Sequence, residues 1–318
     1  DYNLEIIDPD GRFATEFARF ATLSRPPGDL LFSFATVNDI HIGEKEYGLI
    51  MLPGIPFALT PGFKLDIDGS PFWKFTNEAA FAELAAQKPE FVIVKGDLNT
   101  EPDEESMLEA KRMLDALPMP YYVLRGNHDR KGKCPEDWFG KVFRADTVQS
   151  FEHKGAGFIL IDAIHPDSGY TCFREEDLAR LAAGLKRMKD IPVFIYLHNP
   201  PLKLIERSFV NRISKFLAIL DTHPLIAGVF YGHSHANKRQ SRRLGGRAVP
   251  FVETAATMDY PGGYNIYDIY SGGYTQICLR PFEARCLRWL EMTEKAYYGL
   301  ATDALFGKIE DRNFSVGY

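Results

Sequence analysis

Residues 121–129 read Tyr-Tyr-Val-Leu-Arg-Gly-Asn-His-Asp, an apolar run that stops at an arginine and a glycine and is followed by three polar side chains. The apolar run has the length of a short strand that is covered on both faces. Asn127, His128 and Asp129 come where such a strand would end. Because ligands of open α/β sheets bind outside the carboxyl ends of the strands, this stretch predicts both an α/β fold and a ligand-binding site at the end of this strand.

Four further apolar runs end in the same way, each in a cluster of polar residues. The runs are Leu30–Val37, Phe91–Val94, Val193–Leu197 and Ile226–Tyr231. The clusters that follow them are Asn38-Asp39-Ile40-His41, Lys95-Gly96-Asp97, His198-Asn199 and Gly232-His233-Ser234-His235. With His128 of the first stretch, five of the eight histidines lie in the five clusters, far more than chance would place there. We therefore expect the clusters to converge on one rim of a sheet.

Segments with helical periodicity lie between the apolar runs. They are Asn77–Gln87, Glu104–Leu117, Glu175–Lys189 and Val210–Leu220. Strands that alternate with helices predict an α/β sheet. After residue 240 the pattern changes to strand-like runs separated by glycine-rich turns, and these predict a second, more antiparallel sheet. Those runs are Ala248–Glu253, Tyr264–Ile269 and Tyr274–Leu279.

The same patterns divide the chain into three parts. We expect a lead-in over residues 1–29, a main domain over 30–290 and a tail over 291–318. Within the main domain, residues 43–75 form a long, loop-like and aromatic stretch. Loops of that length are commonly functional, and we expect this insert either to shape a binding pocket or to pack on the surface.

Composition and charge limit the classes of protein. The chain has 318 residues and a net charge of −6, which argues against a broad nucleic-acid interface. No apolar run is long enough to span a membrane as a helix. The four cysteines lack a CxxC spacing, so we expect free thiols, although Cys278 and Cys286 are close enough in sequence to pair. Unpatterned cysteines favour a cytoplasmic protein weakly; a leader removed ahead of Asp1 is compatible with the sequence.

The residue types in the clusters select a class of metal. Aspartate, histidine and asparagine without thiolate suit first-row ions such as Mn, Fe, Zn, Co or Ni. The imidazoles are too numerous for a magnesium or calcium site. About seven candidate ligands exceed the needs of one tetrahedral ion, whereas two ions that share a carboxylate would use them all. Two-metal sites serve in-line displacement at phosphorus.

The order of the five clusters resembles the calcineurin-like metallophosphoesterase superfamily. All five motifs are present and in order over roughly residues 30–240. Among its branches, the chain looks most like the class III cyclic-nucleotide and glycerophosphodiester phosphodiesterases. The resemblance implies an α/β protein with a four-layer α/β/β/α sandwich, in which two mixed sheets are flanked by helices.

The resemblance also implies a site. One metal ion would be held by Asp39, His41 and His235, and the other by Asn127, His198 and His233, with Asp97 bridging the two. His128 would face the substrate without binding metal, and Asp129 would orient its ring. The nucleophile would be a metal-bound hydroxide that attacks in line.

At two positions the chain differs from other branches of the superfamily, and these differences narrow the choice of branch. Protein phosphatases carry glutamate where this chain has Asp129, and their Gly-Asp is followed by an Asp-Arg-Gly motif that is absent here. Purple acid phosphatases place a metal-bound tyrosine three residues after the bridging aspartate, where this chain has Thr100. The protein-phosphatase branch is therefore not expected, and neither is the tyrosine–iron chromophore of the purple acid phosphatases.

The favoured function is hydrolysis of a small phosphodiester such as a cyclic nucleotide. The alternative is a phosphomonoesterase or pyrophosphohydrolase on the same site, which would need extra cations for a second charge. Lys95, Arg125 and Arg130 lie beside the motifs, and the two arginines are the candidate substrate-binding residues. A nuclease and a catalytically silent binding scaffold are minor alternatives. Nucleic acid is an unfavoured partner, and an oligomer is compatible with the sequence.

Overall fold

The structure of the chain is a computed structural model. It describes residues 22–47, 69–130, 134–201, 212–294 and 302–318, together with the backbone of three short strands before residue 68. Among these residues no helix is long and apolar enough to cross a membrane.

Sixteen strands and eight α-helices make up the described chain. The strands are β1 (Ile6–Ile7), β2 (Phe13–Ala14), β3 (Leu30–Val37), β4 (Asp66–Ile67), β5 (Ser70–Pro71), β6 (Val92–Val94), β7 (Tyr121–Val123), β8 (Val148–His153), β9 (Ala156–Ile161), β10 (Val193–Tyr196), β11 (Ile226–Tyr231), β12 (Lys238–Leu244), β13 (Arg247–Glu253), β14 (Tyr264–Tyr270), β15 (Gly273–Leu279) and β16 (Phe314–Gly317). The helices are α1 (Phe72–Ala86), α2 (Glu104–Asp115), α3 (Trp138–Phe143), α4 (Glu175–Arg187), α5 (Ile213–Asp221), α6 (Ala284–Glu294), α7 (Thr302–Phe306) and α8 (Ile309–Arg312).

Two six-stranded sheets form the centre of the fold. The first has the order β12-β13-β11-β10-β9-β8 and the second the order β16-β15-β14-β3-β6-β7. Strands β9, β10, β11 and β13 run parallel in the first sheet, and β3, β6 and β7 run parallel in the second. The remaining strands pair antiparallel, so both sheets are mixed, as the family resemblance implies.

Aromatic side chains fill the space between the sheets. In β3, Phe34 points inward and stacks on Tyr267 at 4.7 Å between ring centroids. The same ring meets Phe158 of the other sheet edge-on at 5.2 Å. Ring pairs of this kind contribute roughly 0.5–1.5 kcal/mol beyond the area they bury. This layer therefore fixes the two sheets face to face.

Helices cover the outer face of each sheet. Leu178, Leu181 and Leu185 of α4 lie in the apolar cluster over the first sheet, and Phe216 of α5 joins them. Helices α1 and α2 cover the second sheet in the same way. The spacing of these apolar residues matches one face of a helix. The predicted four-layer α/β/β/α sandwich is confirmed.

Two predictions about elements are wrong. Helix α1 begins at Phe72, five residues before the predicted start, because the aromatic residues at the end of the 43–75 stretch form its buried face. Phe72 stacks on Trp289 of α6 at 4.3 Å. The strand-like runs after residue 240 do not form a separate sheet: β13 joins the first sheet, and β14 and β15 join the second.

Other predictions meet the structure only in part. Residues 48–65 of the expected insert and most of the expected lead-in lie outside the described residues. The expected boundary at residue 290 falls inside α6, and β16 of the expected tail pairs with β15. All four cysteines are free, so Cys278 and Cys286 do not pair.

Candidate metal centre

The five polar clusters meet at the carboxyl ends of the parallel strands, as predicted. Loops after β3, β6 and β7 bring them from the second sheet, and loops after β10 and β11 from the first. The side chains that meet there are Asp39, His41, Asp97, Asn127, His128, His198, His233 and His235.

One group of possible metal ligands consists of Asp39, His41 and His235. The Nε2 atom of His235 lies 3.6 Å from Oδ1 of Asp39, and Nε2 of His41 lies 4.0 Å from the same oxygen. Oδ1 of Asp39 and Nε2 of His41 are buried without a hydrogen-bond partner among the described residues. Buried polar atoms rarely stay unsatisfied, so these atoms fit the ligands of a cation.

A second group consists of Asp97, His198 and His233. Nε2 of His198 lies 3.0 Å from Oδ2 of Asp97 and 3.0 Å from Oδ1 of Asn127. The Asn127 oxygen also lies 2.7 Å from Nδ1 of His233. Amide oxygen, carboxylate and imidazole converge here without thiolate, which is a donor set for a first-row ion.

Asp97 connects the two groups. Its Oδ2 faces His198 at 3.0 Å and also faces Nε2 of His41, which belongs to the first group, at 3.7 Å. Its Oδ1 accepts a hydrogen bond from the backbone N–H of His128 at 2.8 Å, and this contact fixes the carboxylate. The arrangement fits a carboxylate shared by two ions.

The backbone of the site is strained. Asp39, His41, Asp97, His233 and His235 all have positive φ values, between 43° and 82°. Each such non-glycine residue costs of order 1–3 kcal/mol, and strain of this kind clusters at functional sites. Nearby, a Cβ atom on Gly126 would lie 2.1 Å from Oδ1 of Asp97, so only glycine lets the two loops approach. At the carboxyl ends of these strands, the chain therefore accepts a less stable backbone conformation in order to bring the site residues together.

Burial and neighbouring carboxylates set the protonation of the imidazoles. Burial lowers the pKa of His41 to about 3. The residue His233 is exposed at the surface, but desolvation of its ring and the neighbouring His198 lower its pKa to about 4. Burial opposes charge on His198 too, but Asp97 outweighs it and raises the pKa of His198 to about 9. In His235 burial is likewise outweighed, by Asp259 and Asp39, and the pKa rises to about 10. The raised pKa values favour protonated His198 and His235 in the metal-free site, and binding of a metal ion by these rings would release protons.

The expected contact between the His128 ring and the Asp129 carboxylate does not form. Nδ1 of His128 lies 3.0 Å from the carbonyl oxygen of Thr100, which holds the ring instead. The Asp129 carboxylate accepts hydrogen bonds from the backbone N–H groups of Leu98, Asn99 and Gly126. Asp129 therefore ties the Asp97 loop to the His128 loop, and the prediction that it orients the His128 ring is wrong.

Two of the cations that could bind substrate, Arg125 and Lys95, are instead buried and bonded to other groups of the protein. Arg125 is buried, and its guanidinium donates to Asp137 at 2.6 Å and 3.0 Å and to Asp162 at 3.1 Å. Lys95 is fully buried, and its ammonium donates to the carbonyl oxygen of Tyr231 and to Thr254. Burial lowers the pKa of Lys95 to about 7. The described contacts of both side chains are thus structural.

Arg130 is half-buried. It lines a pocket of about 200 Å³ beside Asp129, together with Cys134 and Asp167. Its predicted contact with substrate remains a prediction.

Sequence reasoning did not predict the residues that hydrogen-bond to the proposed metal ligands and hold them in place. Nδ2 of Asn38 donates to Asp39 and to the carbonyl oxygens of Thr254 and Ala255. Nδ1 of His235 lies 2.6 Å from Oδ2 of Asp259. Asn38 stands inside a motif and was visible in the sequence. Thr254 and Asp259 follow residue 240, where no motif marks them.

Comparisons with known proteins match the part of the chain that carries these clusters. The family model described as calcineurin-like phosphoesterase matches residues 32–237. A 3',5'-cyclic-nucleotide phosphodiesterase of Nostoc sp. is 28% identical over 219 residues, which are 67% of this chain and 75% of that protein. A protein of Arcobacter nitrofigilis named "Probable glycerophosphodiester phosphodiesterase GpdQ" is 26% identical over 67% of this chain and 79% of its own.

The fold is also similar to that of solved structures. A dimetal phosphatase from Danio rerio superposes with a TM-score of 0.60 at 14% identity, over 80% of this chain and 98% of that one. At this identity the likeness concerns the fold alone.

Proposed function

The chain belongs to the calcineurin-like phosphoesterase family, and on that premise we propose that it is a phosphodiesterase that hydrolyses a small diester with two transition-metal ions. The observation that carries the proposal is the Asp97 carboxylate, whose Oδ2 faces both groups of ligands. A cyclic nucleotide is the favoured substrate class, since the Nostoc relative is named for that activity.

Seven side chains would hold the ions. Asp39, His41 and His235 would bind one, Asn127, His198 and His233 the other, and Asp97 both. When bound, such ions lower the pKa of coordinated water and neutralise charge on the phosphoryl oxygens. Manganese, iron and zinc are candidates for the metal pair, since the donors are oxygen and nitrogen without thiolate.

His128 would assist the leaving group. The Thr100 carbonyl can only accept, so Nδ1 of His128 carries a hydrogen toward it. Nε2 is then the atom that can hold a proton for the departing oxygen. His128 also stays close to the proposed ions, because its backbone N–H donates to Asp97.

The surroundings favour a diester over a monoester. The phosphoryl group of a diester carries one negative charge, whereas that of a monoester carries up to two. Of the three cations that the sequence places directly beside the site motifs and that the structure describes, Lys95 is fully buried and Arg125 is bonded to two carboxylates. The alternative, a phosphomonoesterase or pyrophosphohydrolase, would rest on Arg130 alone among the three.

A comparison of two chromogenic substrates tests the proposal. We expect metal-loaded protein to hydrolyse bis-p-nitrophenyl phosphate with a kcat/KM at least about tenfold above that for p-nitrophenyl phosphate, a difference of about 1.4 kcal/mol in the barrier. Asn127→Ala should lose both activities, since it removes a proposed ligand. A preference for the monoester would contradict the diesterase proposal and direct attention to Arg130.

A further inference from the structure

The inference concerns Asp259, a carboxylate outside every recognised motif. It lies in the loop between β13 and β14, and its side chain is fully buried. Side chains of α6 hold this loop: Nε1 of Trp289 donates to the Met258 carbonyl at 2.6 Å, and the Tyr260 N–H donates to Thr293 at 3.1 Å. Hydrogen bonds to α6 therefore fix the backbone on both sides of Asp259.

Asp259 determines which ring nitrogen of His235 is available. Its Oδ2 lies 2.6 Å from Nδ1 of His235, and an ionised carboxylate can only accept, so Nδ1 carries the hydrogen. Nε2 is then the nitrogen that faces Oδ1 of Asp39, at 3.6 Å. This is the ring nitrogen that an ion at the first group of ligands would need.

The partner of His235 differs in charge from that of His198. Nδ1 of His198 lies 2.8 Å from the carbonyl oxygen of Lys95, which is a neutral acceptor. Asp259 supplies a full negative charge in the equivalent position. A carboxylate behind a ligating imidazole makes the ring a stronger donor to a metal ion.

The charge of Asp259 has little other compensation. Among the described residues, its Oδ1 is buried without a hydrogen-bond partner, and its side chain forms an ion pair with His235. A buried carboxylate is costly unless an opposite charge lies near. A cation on the far side of His235 would provide that charge through the ring.

We propose that Asp259 is a positioning residue: it locks His235 with Nε2 toward Asp39 and strengthens binding of the ion held by Asp39, His41 and His235. This inference rests on the metal site of the proposed function. It extends that site to a segment of chain beyond the family match, which ends at residue 237.

Cobalt titration of the metal-free protein tests the inference, with bound ions counted and visible absorption recorded. For Asp259→Asn we expect one of the two binding steps to weaken by about 10–100-fold, as partners of ligating histidines typically cause. The absorption of that ion should change, while the other step stays within about threefold. Asp268→Asn is the matched control, because Asp268 on β14 also accepts a side-chain hydrogen bond, from Ser33 at 2.6 Å.

The outcomes separate this inference from the proposed function. If the wild-type protein binds two cobalt ions and Asp259→Asn binds them with the same affinities and the same spectrum, the inference is overturned but the proposed function is not. Equal weakening of both steps would also overturn it, since that is the mark of general loosening. Wild-type protein that binds no cobalt would overturn both. If circular dichroism shows Asp259→Asn to be unfolded, Asp259→Ser, which removes the charge with a smaller side chain, takes its place.

Discussion

Asp97→Asn is expected to reduce diester hydrolysis by at least about 10³-fold. Metal ions contribute several kcal/mol of charge stabilisation in the transition state, and each 1.36 kcal/mol is a factor of ten in rate. The substitution keeps the shape of the side chain and an acceptor for the His128 N–H, but removes the charge that both ligand groups face. Steady-state rates on bis-p-nitrophenyl phosphate, with metal content per chain, measure the effect.

A second buried aspartate controls for folding. Asp177 of α4 accepts from Thr147 at 2.6 Å and pairs with Arg174, on the outer face of the first sheet. We expect Asp177→Asn to lower the melting temperature yet keep its rate on the diester while folded. An Asp97→Asn protein with more than a tenth of the wild-type rate would contradict the role given to Asp97.

His128→Ala is expected to slow hydrolysis of diesters with poor leaving groups by about 10²–10⁴-fold, the usual contribution of a general acid. The loss should shrink for a nitrophenyl ester, because that leaving group departs without a proton. Rates on an alkyl diester and on bis-p-nitrophenyl phosphate therefore measure the effect together.

The control for His128 is another half-buried histidine. Nε2 of His153 lies 2.7 Å from Glu90, and the residue pairs with Ala156 where β9 begins, away from the strand ends that carry the site. His153→Ala should keep both rates. An equal loss on the two substrates in His128→Ala would contradict a role in protonating the leaving group and indicate a role in substrate positioning.

The fold and the meeting of the five polar clusters were predictable because their signals are local. Each parallel strand at the site is a short apolar run, and the residues that follow it directly are those that meet in space. Asp39 and Asp97 could be placed together once both were assigned to strand ends. The rule that ligands lie at the carboxyl ends of parallel strands then supplied the long-range information.

The rest of the site depends on contacts that no local pattern records. Asp259 reaches His235 from a loop between two strands of different sheets, and α6 fixes that loop. The surroundings of Arg125 were hidden for the same reason, because its partner Asp162 follows β9, a strand of the other sheet. Sequence marks such side chains as charged but does not show what they face.

The number of ions that turnover requires is the most direct test of the central claim. Metal-free protein would be titrated with manganese while bound ions per chain and hydrolysis of bis-p-nitrophenyl phosphate are recorded together. The shared position of Asp97 predicts that two ions bind per chain and that turnover appears with the second. Full turnover with a single bound ion, or with none, would contradict a two-metal phosphodiesterase.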